Sequence, residues 1–229
     1  MSNWECEWPL GSVAERHLRD PGFDSRRVLL HEVDRPTLVL GSAQRDGRWV
    51  PDEGRLQSAG CDLVRRRSGG GGVLLRPGHV FWADVLLPRG DVLWDDDVGR
   101  SGLWLGDVWS AVLGGLGLFA EVHRGPLVRG DWSEVVCFAG LGPGEVSVNG
   151  RKVVGISQRR SRQGARFQCA ALLEWRPQEM VDLFGLKPAD RASADLGERA
   201  VGLADLLAGD APSPEELAAA FVAALPTGP

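Results

Sequence analysis

Arg65-Arg66-Arg67-Ser68-Gly69-Gly70-Gly71-Gly72-Val73 is the stretch whose reading decides the fold. Four consecutive glycines bring no side chains to pack, and each costs backbone entropy. They make sense where backbone N–H groups must come close to another group. The arginines beside them make that group an anion, a phosphate or a carboxylate; the plainer alternative is a flexible hairpin tip with a basic flank. No Gly-Lys-Ser/Thr follows, so the loop is not a P-loop, and the G-x-G-x-x-G spacing of a dinucleotide-binding helix is missing.

Outward from the loop, strands and helices alternate. Upstream, residues 9–20 read as a short amphipathic helix, 27–33 and 36–41 as strands, 51–59 as a helix, and 61–67 as a strand running into the glycines. Downstream, 80–87 reads as a strand. Residues 98–116 read as a long helix whose N-terminus is favoured by Asp95, Asp96 and Asp97. A further strand is expected at 133–138. Runs 145–148 and 151–157 flank Asn149-Gly150, the strongest short hairpin signal, and 166–175 completes the strands. Helices are expected at 178–184, 198–207 and 214–225, the last opened by Ser213-Pro214-Glu215-Glu216. Residues 189–194 are the one plausible linker. The pattern predicts an α+β fold with a mostly antiparallel sheet and a helical C-terminal end.

Bulk properties exclude more than they assign. The 229 residues suffice for one large domain. A net charge of −5 argues against nucleic acid as a partner. No apolar run approaches a membrane span. The opening MSNWECEWPL lacks the basic and apolar regions of a signal peptide. Cys6, Cys61, Cys137 and Cys169 are too widely spaced for a zinc motif. A cytoplasmic protein with free thiols is expected. Of 26 basic residues only Lys152 and Lys187 are lysines, so a Lys in a Gly-punctuated motif draws notice: it is a compact mobile charge where Arg is a planar fork.

The loop, read as R-R-x-S-G-G-G-x-V leaving a strand, resembles the signature of the lipoate–protein ligase A and octanoyltransferase superfamily. Pro36-Thr37-Leu38-Val39-Leu40-Gly41-Ser42-Ala43-Gln44 is similar to a strand upstream of it in that family. The stretch from Gly144 to Arg159 resembles its lysine hairpin, with Lys152 on the essential lysine and Glu145 on an acidic position. Residues 168–173 resemble the Q-H-G-x-L-L strand that follows. The resemblance covers roughly residues 9–188. It implies the class II synthetase-like biotin/lipoate ligase fold, a catalytic domain over 1–188, and a helical extension of it over 189–229.

As to chemistry, it implies that Arg66, Ser68, Gly69, Gly70 and Gly71 cradle an acyl-adenylate, with Gly155 and Ser157 also binding substrate or nucleotide. Lys152 would stabilise negative charge on the acyl carbonyl and α-phosphate, and Glu145 would hold Mg²⁺ or the nucleotide. ATP, Mg²⁺ and lipoate or octanoate are the expected reactants. The implied acceptor is the lipoyl domain of a 2-oxoacid dehydrogenase or the glycine-cleavage carrier protein. Three departures change groups near the expected site: a family His and Asp after the loop become Leu75 and Arg76, and a later His-Gly becomes Cys169-Ala170. Cys137-Phe138, eight residues before Glu145, resembles the nucleophile pair of octanoyltransferases and amidotransferases, which need no ATP; the plain reading is a buried small hydrophobe. A non-catalytic acyl or nucleotide binder is the third alternative. Trp82 is a candidate for lining an acyl tunnel, and Arg159, Arg160, Arg162 and Arg166 for meeting an acidic acceptor.

Overall fold

The computed structural model describes residues 4–45, 49–208 and 211–228. Its main sheet has seven strands, in the order β1 (Glu5–Glu7), β2 (Arg27–His31), β6 (Val80–Pro88), β10 (Gly164–Leu172), β9 (Arg151–Arg160), β8 (Val146–Val148) and β7 (Ala120–Val122). Only the β1–β2 pair is parallel. A small sheet of β4 (Asp62–Arg65), β3 (Thr37–Leu40) and β5 (Val73–Leu75) lies beside it. The helices are α1 (Val13–Leu18), α2 (Glu53–Ser58), α3 (Leu103–Gly115), α4 (Pro177–Phe184), α5 (Ala189–Arg199), α6 (Leu203–Leu206) and α7 (Pro214–Ala224). The expected α+β architecture is the one observed.

Strand β6 is buried along nearly its whole length because both faces of the sheet are covered. With side chains alternating, Phe81, Ala83, Val85 and Leu87 join a core with Leu105 and Trp109 of α3 and Phe221 of α7. Val80 and Trp82 join a second cluster with Val39, Leu75 and Phe138. The candidate site residues gather on this second side. The β8–β9 turn has φ of 50° at Asn149 and 74° at Gly150, the left-handed pair that a two-residue hairpin of this type needs.

The structure departs from four of the sequence expectations. The long helix begins at Leu103, with no acid in its first turn. The aspartates bind backbone N–H groups two residues on instead, Asp95 taking that of Asp97 and Asp97 that of Gly99, so they build turns rather than cap a helix. Residues 133–138 are no strand. Val136 makes a single bridge to Gly72, and Cys137–Ala139 is a 3₁₀ turn; the apolar side chains of Val135 and Val136 anchor a turn in the core, a pattern that a short apolar run does not distinguish from a strand. Residues 189–194 are the start of α5 and not a linker, since Ala192 and Leu196 bury against α4. The helix expected at 198–207 is broken at Gly202, where a Cβ would meet the Glu174 backbone at 2.7 Å. Strands β1, β5 and β7 have three residues each, too few for periodicity to register.

Candidate functional site

A polar cleft of about 600 Å³ runs past Gln44, the glycine loop, Glu145 and Lys152. A narrow apolar cavity of about 40 Å³ lies behind it, lined by Val39, Leu75, Trp82, Phe138 and Ala170. Cys137 and Ser157 line both compartments, so the cavity meets the cleft at these two side chains. Trp82 is where its expected tunnel role would place it, and Leu75 adds an apolar wall.

The loop is held by its carbonyls. Arg66 is buried and donates to the carbonyl oxygens of Gly69 (2.7 Å) and Gly71 (2.9 Å). Ser42 N–H donates to Ser68 O, and Cys137 N–H to Gly72 O. Among the described residues, the N–H groups of Gly69, Gly70 and Gly71 have no hydrogen-bond partner, and all three glycines line the cleft. Arg66 therefore shapes the loop rather than offering its charge outright, and leaves three backbone donors for an anion. Two glycines are sterically required: a Cβ on Gly41 would overlap the Gly70 carbonyl, and one on Gly71 would meet the Val136 backbone at 2.7 Å. Gln44 ties the arrangement together, accepting from Gly41 N–H at 2.9 Å and donating to Val135 O at 3.1 Å.

Lys152 is 2% exposed. Its ammonium donates to the carbonyls of Cys137 and Gly140, both at 3.1 Å, and pairs with Glu145 Oε2 at 2.6 Å. An ammonium has three donors, so all are committed. Phe138 lies beneath it at 4.9 Å, and Gly155 makes room for its stem, where a Cβ would stand 3.3 Å from Cε. The backbone of Lys152 is pinned by Val201 N–H at 3.0 Å, between α5 and α6. Glu145 also accepts from the N–H groups of Gly142 (2.6 Å) and Ile156 (3.1 Å). Three of a carboxylate's four lone-pair positions are thus taken, and the residue does not fit a ready metal ligand. Among the described residues, no three His, Cys, Asp or Glu side chains are grouped to hold an ion.

Deeper in, Ser157 Oγ and Ser68 Oγ are 3.0 Å apart, and Ser68 donates to Gln168 Oε1 at 3.1 Å. That leaves the Gln168 amide nitrogen to donate to His17 Nδ1 at 3.1 Å. His17 lines the apolar cavity and stacks on Trp82, which stacks on His31. Asp84 is fully buried and is held by His31 Nε2 (2.9 Å), Trp82 Nε1 (3.1 Å) and Arg166, whose Nε lies at 2.9 Å. Burial alone would raise the Asp84 carboxyl, but His31 and Arg166 hold it well below the usual carboxylate range. Arg166 is therefore committed inside and not offered to an acceptor protein, while Arg160 stacks on Trp94 at 4.0 Å.

Burial lowers His17 from 6.5 to about 3; Asp84 opposes the shift, and Arg166, Arg66 and His31 reinforce it. The unfolded chain binds a proton at His17 below about 6.5 that the folded chain refuses until about 3, so the stability this group contributes is complete above that window and is lost as pH falls through it. The unfolding temperature of the protein is expected to fall as pH drops below about 6.5 toward 3, and His17→Phe to flatten that fall. An unchanged slope in the variant would contradict the assignment.

The network of His17, Asp84 and Arg166 was not singled out from the sequence. Asp84 inside the apolar run Val80–Pro88 was the available signal, since a charge there must find partners. Cys169 has its thiol pushed up to about 12 by burial. Cys6, Cys61, Cys137 and Cys169 form no disulfide in the structure.

A seven-stranded, mostly antiparallel sheet thus carries a glycine loop and a hairpin lysine that face one cleft. The chain belongs to the family described as the lipoyl protein ligase A/B catalytic domain, which it matches over residues 13–226. Among curated proteins none matches it in sequence. In structure it is similar to a chain from the structural analysis of an archaeal lipoylation system, a bipartite lipoate protein ligase and its E2 lipoyl domain from Thermoplasma acidophilum: TM-score 0.73, 15% identity, 98% of this chain and 82% of that one. It is similar also to a lipoate-protein ligase A bound with ATP (TM-score 0.71, 15% identity, 98% and 84% coverage). A putative lipoate protein ligase from T. acidophilum with bound lipoic acid gives TM-score 0.69 at 14% identity, with 97% and 83% coverage. No helix among the described residues is long and apolar enough to cross a membrane.

Proposed function

We propose that this chain is a lipoate–protein ligase, and that the meeting of the apolar cavity and the polar cleft at Cys137 and Ser157 carries the reading. The acyl chain occupies the cavity, and the nucleotide lies in the cleft against the glycine amides. A lipoate carboxylate oxygen attacks the α-phosphorus of ATP, the bond to pyrophosphate breaks, and lipoyl-AMP forms. The ε-amine of a lysine on a lipoyl domain then attacks the acyl carbonyl carbon. The bond to AMP breaks, an amide forms, and the amine's surplus proton leaves to solvent.

Lys152 exchanges one of its protein acceptors for the developing oxyanion. Glu145 serves as its counter-ion, and no step here is routed through Mg²⁺. Ligases solved with ATP and with lipoic acid share the fold, and the loop and hairpin stand in the matching order. Pyrophosphate release from ATP on addition of lipoate tests the reading; release that does not depend on lipoate contradicts it.

The position of Cys137 between the two compartments favours a second reading, an octanoyltransferase or amidotransferase with a thioester intermediate. A thiolate needs a base, and the histidines serve it poorly. His79 sits 3.6 Å from Glu174, the His123 ring bonds Pro126 O, and burial makes His17 too weak a base to hold the thiol proton. Cys137→Ser is therefore expected to keep ATP-dependent transfer within a few-fold of the parent, whereas loss of about 10²-fold or more would establish the cysteine route.

A further inference from the structure

Among the described residues that line the apolar cavity, His17 has a buried ring nitrogen, Nε2, with no hydrogen-bond partner. The ring is 5% exposed. With the Gln168 amide oriented as it is, the hydrogen-bond chain assigns the ring proton. Ser68 donates to Gln168 Oε1, so the Gln168 amide nitrogen donates to His17 Nδ1. Nδ1 is then the acceptor, and a neutral ring carries its hydrogen on Nε2. His17, which lines the cavity, thus carries a buried N–H donor without a partner, and a buried donor left unpaired costs about 1–3 kcal/mol.

Stacking on Trp82 at 4.6 Å and 12° fixes the ring plane. Trp82 is itself held by His31 and Asp84, so the donor is preorganised rather than free to turn away.

We infer that His17 is a specificity-determining residue, whose Nε2–H donates to an acceptor atom, sulfur or oxygen, carried on the acyl chain beyond its carboxyl carbon. The inference rests on the acyl-chain reading of the cavity. It selects a chain bearing a heteroatom, such as the ring disulfide of lipoate, over a plain aliphatic chain of equal length. A site built around a polar group rejects the analogue that leaves the group unpaired, whereas an apolar wall discriminates weakly.

The test is calorimetric binding of lipoate, octanoate and 8-hydroxyoctanoate to the full chain, as the parent and as His17→Phe, which keeps a ring against Trp82 and removes the donor. The parent should prefer lipoate and the hydroxy acid to octanoate, by about tenfold for the better acceptor. His17→Phe should bring the ratios close to one or below, with octanoate binding no weaker. His17→Gln, which restores an N–H, should recover part of the preference. A parent that binds octanoate as tightly as the hydroxy acid overturns the inference without any variant, because a wall with no donor would reject a hydroxyl. Equal ratios in the parent and His17→Phe also overturn it. If the parent binds none of the three acids, the acyl-ligase reading fails and the inference with it.

Discussion

Lys152→Met should abolish acyl transfer, by about 10²–10³-fold or more for loss of one oxyanion donor, and should also destabilise the fold. The second effect follows from burial. Removing the ammonium leaves Glu145, whose side chain is 7% exposed, as an uncompensated charge, and breaking one partner of a buried pair costs about 3–5 kcal/mol. A dead single variant would therefore be ambiguous. The double variant Lys152→Met/Glu145→Gln separates the two effects. It replaces a buried ion pair by neutral groups, so urea unfolding should return most of the lost stability while single-turnover transfer stays absent. Transfer near the parent rate in the double variant would show that Lys152 is structural only.

Gly41→Ala should have the second largest effect, although residue 41 is not in the glycine loop. Its Cβ would overlap the Gly70 carbonyl. A backbone obstacle cannot swing aside as a side chain can, so the loop must shift at a cost of about 1–3 kcal/mol. The shift breaks the alignment of the Gly69, Gly70 and Gly71 amides, and nucleotide affinity should fall at least about tenfold, as a lost anion-binding hydrogen bond would give. Gly114→Ala provides the control. It lies exposed in α3 with nothing within 4 Å of its Cβ and should leave nucleotide binding unchanged. Equal affinity in Gly41→Ala and the parent would mean that the loop amides do not hold the nucleotide.

Much of this site could be read along the chain because its parts are local. The four glycines, Lys152 in its hairpin and Gln44 after Gly41 each sit in a contiguous motif whose residue types are tied to what the backbone must do. Asn149-Gly150 gave the hairpin register, which in turn places Lys152. What escaped was assembled by register between distant elements. Gln168 stands opposite Asp84, and Trp82 opposite His31; together with His17 from α1 they form a polar core that no single stretch announces. The errors at 95–102 and 133–138 share one cause: short polar side chains and short apolar runs make turns as well as they start helices or strands, and only the packing decides.

The central claim is that acyl-AMP forms in the cleft and is passed to a lysine. Intact mass spectrometry of an apo lipoyl domain tests it most directly, after incubation with this protein and lipoate, ATP and Mg²⁺ in one reaction, and with octanoyl-carrier protein and no ATP in the other. The account predicts a lipoyl mass gain in the first reaction alone, lost in Lys152→Met/Glu145→Gln and retained in Cys137→Ser. An octanoyl gain in the second reaction alone, lost in Cys137→Ser, would contradict it, as would an unmodified acceptor in both.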